Sequence, residues 1–365
     1  MRLLYIVPSC NTEGGVARVL SVKTNSLIEK WGYDIHILTQ NDGNTSPFYN
    51  FNSGIVFHDM ILKGSVFQFF KDYINSLKLQ ISIIKPDIII VCDNGLKAFT
   101  IPFFLNSNIP LVFECHGSKY IQENKMKASF FFKGIQFFKY KFKNLGAQKY
   151  KRFIALSNES LQEWDVLNYT IIPNPSWLKV TADNPLENKK VITVARNSYE
   201  KGLDRLLLIW QKTAVKHPDW ILEIYGDDLK PLETVAEKLN INATVRFHKP
   251  VMNIEEKYNN ASLFVMTSRF EGFPMVLVEA MASGLPCVAY DCPVGPRAII
   301  TNRENGILVP EGKEQLFVEQ LSVLIEDAVL RRQLGKKARE SVADYDLDII
   351  MLQWNALFEN IIKNN

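Results

Sequence analysis

Unbroken apolar runs of four or five residues recur along this chain, each followed by a stretch with helical periodicity. Leu3-Leu-Tyr-Ile-Val7, Ile88-Ile-Ile-Val-Cys92 and Leu263-Phe-Val-Met266 are three of them. A strand with one wet face alternates polar and apolar positions. A run that is apolar at every position belongs to a strand covered on both faces, as in a parallel sheet held between helices. On this pattern the N-terminal half reads as strands at residues 3–7, 33–39, 55–58, 87–92, 110–114, 152–157 and 169–172. Helices are expected at 16–30, 66–84, 96–105 and 123–150. Pro173-Asn-Pro175 and a polar run to about residue 188 then read as a linker. After it the alternation restarts, with strands at 191–195, 220–225, 243–247, 263–266, 287–289 and 307–309. Helices are expected there at 203–216, 231–239, 253–260, 274–283, 313–327, 330–342 and 347–363. At 365 residues the chain exceeds one typical core. Two successive βα arrays predict two doubly wound α/β domains, 1–173 and 189–345, joined by a linker at 174–188. No internal repeat is visible at the level of residues.

Composition narrows the class further. Apolar residues make up 47 % of the chain, enough for globular cores. The five cysteines, at 10, 92, 115, 287 and 292, are odd in number and lack zinc or redox spacing, so free thiols in a reducing cytoplasm are expected. The N-terminal apolar run is too short for a secretory leader, so none is expected, and no run of 18 apolar residues occurs. The net charge of +3 conceals an asymmetry: residues 119–152 hold ten Lys/Arg against one acid, Glu123, or +9, leaving −6 for the remainder. That window also holds nine aromatics. The basic, Phe-rich segment 123–152 reads either as a membrane-surface helix or as a core helix with solvated lysines. No recognition motif accompanies the charge, so nucleic acid is not the expected partner.

The chemistry concentrates in Thr267-Ser-Arg-Phe-Glu271-Gly-Phe-Pro-Met-Val-Leu-Val-Glu279-Ala-Met-Ala-Ser-Gly284. Pro274 and Gly284 mark the start and stop of a short helix. Its first amides, at Met275 and Val276, form an anion site, and Glu279 lies about one and a half turns along. By itself the stretch reads equally well as a buried amphipathic helix carrying two incidental glutamates. Other positions change that balance. Arg196 and Lys201 follow the first strand of the second domain and make a second anion site with the helix start at Gly202. Gly14 and Gly15 follow the first strand of the chain, where a missing Cβ lets backbone approach a ligand; a plain tight turn is the alternative. His116 follows the strand at 110–114, at the end where open α/β sheets hold their ligands. Asp227-Asp228 is read as a solvated pair, and no metal is expected.

Taken together, Gly14-Gly15, Ala195-Arg196 with Lys201-Gly202, Glu271 and Glu279 eight positions apart, and Tyr290-Asp-Cys-Pro-Val-Gly295-Pro296-Arg297 ending at Asn305-Gly306 resemble the retaining glycosyltransferases of family 4. The resemblance implies the GT-B fold, two facing Rossmann-like domains with a cleft between them, and a final helix, 346–365, that crosses back to the first domain with Trp354 docking it. It implies that Arg196 and Lys201 bind a donor diphosphate, with the amides of Phe273, Met275 and Val276 contacting the same phosphates or the donor sugar. Glu271 would hold hydroxyls of the transferred sugar, Glu279 the ribose, and Val251 the base. Gly14 and Gly15 would line the phosphate and acceptor side, and His116 would lie near the reacting sugar. Pro274 departs from the glycine common in the family. The expected ligands are a nucleotide sugar, UDP-linked, as co-substrate without a further cofactor, and a glycan or lipid-linked glycan acceptor. The expected location is the cytoplasm, at the inner face of the membrane. Two other classes compete: a non-catalytic GT-B partner subunit and a sugar-nucleotide epimerase.

Overall fold

The strands form two separate parallel sheets, each in its own unit of the chain. The computed structural model describes residues 1–43, 45–105, 108–120, 130–178 and 184–364. Unit 1 comprises Met1–Pro175 and Leu347–Asn365; unit 2 comprises Ser176–Asp346. Both sheets confirm the doubly wound α/β class.

Unit 1 holds β1 (Arg2–Ile6), β2 (Asp34–Gln40), β3 (Val56–Met60), β4 (Ile88–Val91), β5 (Leu111–Glu114), β6 (Arg152–Ala155) and β7 (Tyr169–Ile171). They lie in the order β3-β2-β1-β4-β5-β6-β7, and every pairing is parallel. The helices are α1 (Gly15–Trp31), α2 (Val66–Ile84), α3 (Ile101–Phe104), α4 (Phe130–Gln148) and α5 (Asn158–Leu161). The last helix of the chain, Leu347–Lys363, also belongs to this unit. The unbroken apolar runs have a direct cause. Leu4, Ile6, Ile89 and Val91 enter one core with Tyr73, Leu77, Phe99 and Tyr150. Leu3, Tyr5, Ile88 and Ile90 enter the other with Leu20, Leu27, Trp354 and Phe358. Successive residues therefore serve opposite cores, and neither face of the strand can be polar.

Two expectations need correction here. The single helix expected at 96–105 is a 3-10 turn, Ala98–Thr100, followed by α3. Pro102 cannot donate the i→i−4 bond that one continuous α-helix would require. In the basic segment, residues 121–129 lie outside the described residues, and the helix described is α4. Its lysines do not all face solvent: Lys143 is 3 % exposed and donates to the Lys119 carbonyl at 3.4 Å.

Unit 2 holds β8 (Lys190–Val194), β9 (Ile221–Tyr225), β10 (Val245–His248), β11 (Leu263–Met266), β12 (Cys287–Asp291) and β13 (Ile307–Pro310), in the order β10-β9-β8-β11-β12-β13. Its helices are α6 (Leu203–Lys216), α7 (Lys230–Lys238), α8 (Ile254–Asn259), α9 (Met275–Ala282), α10 (Glu314–Glu326) and α11 (Ala328–Ser341), which makes the last helix of the chain α12. Trp210, Leu206 and Leu207 on α6 pack with Phe317 and Leu321 on α10 in one core of unit 2. The strand order reverses between β1 and β4 in unit 1 and between β8 and β11 in unit 2, and such switch points are where open sheets bind ligands. Among the described residues, no helix is long and apolar enough to cross a membrane.

Candidate functional site

At the switch point of unit 2, two loops are tied together before any ligand is considered. The loop after β8 contains the 3-10 turn Tyr199–Lys201 and then Gly202, whose φ is +64°. A Cβ at Gly202 would stand 2.2 Å from the Thr267 carbonyl oxygen, so only glycine fits. The Thr267 hydroxyl donates back to the Gly202 carbonyl at 2.9 Å. Two residues further on, Arg269 grips Asp204 through two N–H bonds of 2.8 and 2.6 Å and donates to the Tyr199 carbonyl. A bidentate guanidinium–carboxylate pair fixes orientation as well as distance.

This stapling brings Lys201 to Glu271. The Lys201 ammonium lies 2.8 and 2.9 Å from the two Glu271 carboxylate oxygens. Glu271 is almost fully buried, while the lysine remains about a quarter exposed. The loop after β12 supports the carboxylate from behind. Val294 pairs with Glu271 in a parallel bridge and holds a left-handed φ of +75°, a strained value for a β-branched residue. A Cβ on Gly295 would meet the Cβ of Glu271 at 2.6 Å and Cδ of Pro274 at 2.7 Å.

Helix α9 starts one residue later than expected. Pro274 is its N-cap, with φ −75° and ψ 92°, and Met275 is the first helical residue. The amides of Met275 and Val276 thus open the helix, where N–H groups lack intrahelical acceptors and carry the positive end of the dipole. The other end closes with Gly284 at φ +73°, the Gly284 amide bonding to Met281 and the Leu285 amide to Ala280. This two-bond Schellman ending places Gly284 one residue past the Ser283 cap. Glu279 is buried on α9, and Oε2 accepts the Tyr258 hydroxyl at 3.0 Å. Burial, then the Glu279 charge, holds the Tyr258 phenol well above its ordinary range, so it stays a donor. The Phe273 ring packs edge-on against Tyr345 at 5.4 Å.

The remaining predicted residues stand apart. Arg196 is exposed and forms no ion pair among the described residues, so the two cations of the β8 loop are in different states. Val251 is half-buried, three positions beyond β10. Gly14, Gly15 and His116 belong to unit 1. Gly14 caps α1 at an ordinary φ of −71°, and a Cβ on Gly15 would meet nothing within 4 Å. Neither glycine is required by the packing of the chain around it. The Nε2 atom of His116 lies 3.3 Å from Glu114 Oε1. The same oxygen carries the Lys23 ammonium, and the Cys92 thiol donates to Oε2 at 3.4 Å. Cys92, Glu114 and His116 are spaced as metal ligands are. With Lys23 on the carboxylate and burial pushing the Cys92 thiol well up, the cluster is an ion-paired network and poorly suited to a cation.

Several of these groups escaped the sequence reading. Tyr258, Arg269 with Asp204, and Val294 act through partners dozens of residues away, and no local pattern marks them. Glu114 did carry a signal, as an acid closing an otherwise apolar strand, and so did Lys23, a cation at a buried position of α1.

Two parallel-sheet α/β units in one chain, with a cation, two acids and a helix start gathered at one switch point, define the GT-B class. Residues 179–341 match the family model described as Glycosyl transferases group 1, and the chain carries a domain of that family. An uncharacterized glycosyltransferase of Haemophilus influenzae is 28 % identical over 97 % of this chain and 98 % of its own. The amylovoran biosynthesis glycosyltransferase AmsD of Erwinia amylovora is 35 % identical over 46 % of this chain and 48 % of its own. Among solved structures, Anabaena Alr3699/HepE in complex with UDP superposes with a TM-score of 0.76 at 17 % identity, covering 99 % of this chain and all of that one.

Proposed function

We propose that the protein is a retaining glycosyltransferase that moves a hexose or N-acetylhexosamine from a UDP-sugar to a glycan or lipid-linked glycan in cell-surface polysaccharide biosynthesis. The observation that carries this reading is the site of unit 2: Lys201 bonded to Glu271, the open amides of Met275 and Val276, and buried Glu279 one and a half turns on. The AmsD likeness supports the polysaccharide context, and the UDP complex of the Anabaena protein supports the nucleotide.

The roles follow from charge. A departing nucleoside diphosphate concentrates negative charge as the glycosidic bond breaks. Arg196, Lys201 and the start of α9 stabilise it, and the α9 amides, fixed by the helix, need no reorganisation during the reaction. The anomeric carbon becomes cation-like. The acceptor attacks from the face the diphosphate leaves, which retains configuration. Glu271 grips the sugar hydroxyls and is not a covalent nucleophile. Glu279 takes the ribose hydroxyls, Val251 borders the base, and Phe273 and Pro274 shape the turn beside the sugar. Gly14 and Gly15 leave room for ligand against backbone, and His116 faces the reacting sugar. No metal takes part.

The enzyme works at the inner face of the cell membrane. Phe137 and Phe138 on α4, and Val66 and Phe67 at the start of α2, are all more than half exposed beside Lys141 and Lys71. Apolar rings flanked by ammonium groups suit an anionic lipid surface.

A calorimetric screen of nucleotide sugars, followed by product analysis with and without acceptors, tests the reading. Saturable UDP-sugar binding and an α- or β-glycoside of unchanged anomeric configuration are expected. Binding without transfer to any acceptor, or an epimer formed without one, would replace the reading by a partner subunit or an epimerase. Flotation with phosphatidylglycerol vesicles tests the membrane face, and failure to float at low salt removes it.

A further inference from the structure

The group around Glu114 in unit 1 is more elaborate than a structural ion pair needs to be. Glu114 closes β5 and is 1 % exposed. Lys23, from the middle of α1, is equally buried and places its ammonium on Glu114 Oε1. The same ammonium stands 3.5 Å over the ring of Trp354, which arrives on α12 from the far end of the chain. Cys92, just beyond β4, donates to Oε2. Tyr5 on β1 faces the cluster, its phenol pushed far up by burial and then by the Glu114 charge. Burial alone would raise the Glu114 carboxyl, but the opposing charges, the Lys23 ammonium foremost, outweigh it, so the group is held below the ordinary carboxylate range and stays ionised.

An ionised carboxylate only accepts hydrogen bonds. His116 Nε2 lies 3.3 Å from Oε1; a bare Nε2 would set its lone pair against the carboxylate charge, so an N–H at that position is the arrangement the contact favours. In a neutral imidazole the other nitrogen is then the acceptor, and the partner of one nitrogen sets the chemistry of the other. We propose that Glu114 is a positioning residue for His116: held by Lys23 and Trp354, it selects the Nε2–H tautomer and leaves Nδ1 as the acceptor for a ligand hydroxyl. The arrangement makes α12 part of the support for His116, although it lies more than 230 residues further along the chain. Only the kinetic part of the proposal rests on His116 facing the reacting sugar.

Two measurements on the full chain test it. Long-range proton–nitrogen spectra of ¹⁵N-histidine protein read the tautomer directly, with the His116 signals identified by their loss in His116→Gln. The wild-type ring should show the Nε2–H pattern; an Nδ1–H ring overturns the proposal without any variant. The second measurement uses Lys23→Met with Glu114→Met, which removes both charges and leaves none unpaired in the core. The expected result is a mixed tautomer and a kcat about 10–100-fold lower, the scale seen when a partner that orients a histidine is lost. The nucleotide-sugar KM should not change. A retained Nε2–H pattern with wild-type kcat overturns the proposal. Wild-type turnover by His116→Gln would instead remove the role of His116 in the reaction and leave the tautomer assignment standing.

Discussion

At the scale of single residues, the pairing of Lys201 with Glu271 sets the terms of ligand binding. The lysine gives both of its close contacts to one nearly buried carboxylate. A diphosphate must therefore compete with Glu271 for the ammonium. Replacing Glu271 by Gln removes the competing charge and keeps the shape. UDP should then bind about 3–10-fold tighter, since a charge-assisted bond exceeds a neutral one by on the order of 1 kcal/mol. Transfer should fall at least ~10-fold, because the sugar loses its charged acceptor. Titration calorimetry with UDP reads the first effect, and weaker binding would show that the pair supports the phosphate site and does not compete with it. Arg196, exposed and without an ion pair among the described residues, has no such competitor.

At the scale of elements, α4 packs one side into the core of unit 1 and leaves aromatic and aliphatic side chains exposed on the other. One side is buried at Lys143, Gly146 and Ala147, while Phe137, Phe138 and Leu145 are exposed. Burial, then the charge of Lys139, pushes the Lys143 ammonium down to about 8; Lys119 adds to the shift, and Cys115 and Asp93 oppose it. The sign follows from linkage. The folded protein gives up this proton at lower pH than the unfolded chain, so the residue costs stability while it is charged in both states. The full cost applies below pH 8, fades between about 8 and 10.5, and is gone above that. Lys143→Met should raise the melting temperature at pH 7, with a gain on the order of 1–3 kcal/mol, and the gain should shrink as pH approaches 10. A gain independent of pH would mean that the methionine stabilises by packing alone. Helix α9 shows the same dependence on surroundings: seven of its eight residues are buried, and its N-cap makes no side-chain bond, so packing and its Schellman ending define it.

At the scale of the whole molecule, the chain begins and ends in the same unit. Ile350, Met351, Trp354, Phe358 and Ile361 of α12 complete a core that draws on β1, β2, β4, β5, β6 and α1. The Lys23–Glu114 pair lies beneath that helix. Trp354→Ala should cost about 3–5 kcal/mol, more than most single substitutions, because it opens a cavity and also uncovers a buried ammonium. Differential scanning calorimetry should show the loss in the transition of unit 1 and leave UDP-induced stabilisation of unit 2 in place. An unchanged melting profile would mean that α12 is peripheral.

Some of this protein is determined locally, and the sequence read alone is sufficient for it. Central parallel strands buried on both faces, such as β4 and β11, must be apolar along their length, and the strand–helix alternation also places the partly exposed edge strands β3 and β7, so all thirteen could be placed within a few residues; α2, α6 and α12 match their expected limits. Gly202 and Gly284 sit at positive φ, a condition a sequence can signal because few other residues tolerate it. Glu271 and Glu279 were legible for a similar reason, since a loop, a proline and a short helix fix their spacing. What a residue meets across the fold was not legible. That Lys201 bonds Glu271, that Tyr258 holds Glu279, and that Lys23 and Trp354 close on Glu114 depend on segments brought together by sheet order. A carboxylate's partner is chosen by distance in space and by the cost of burying its charge unpaired, and neither quantity exists until the chain has folded.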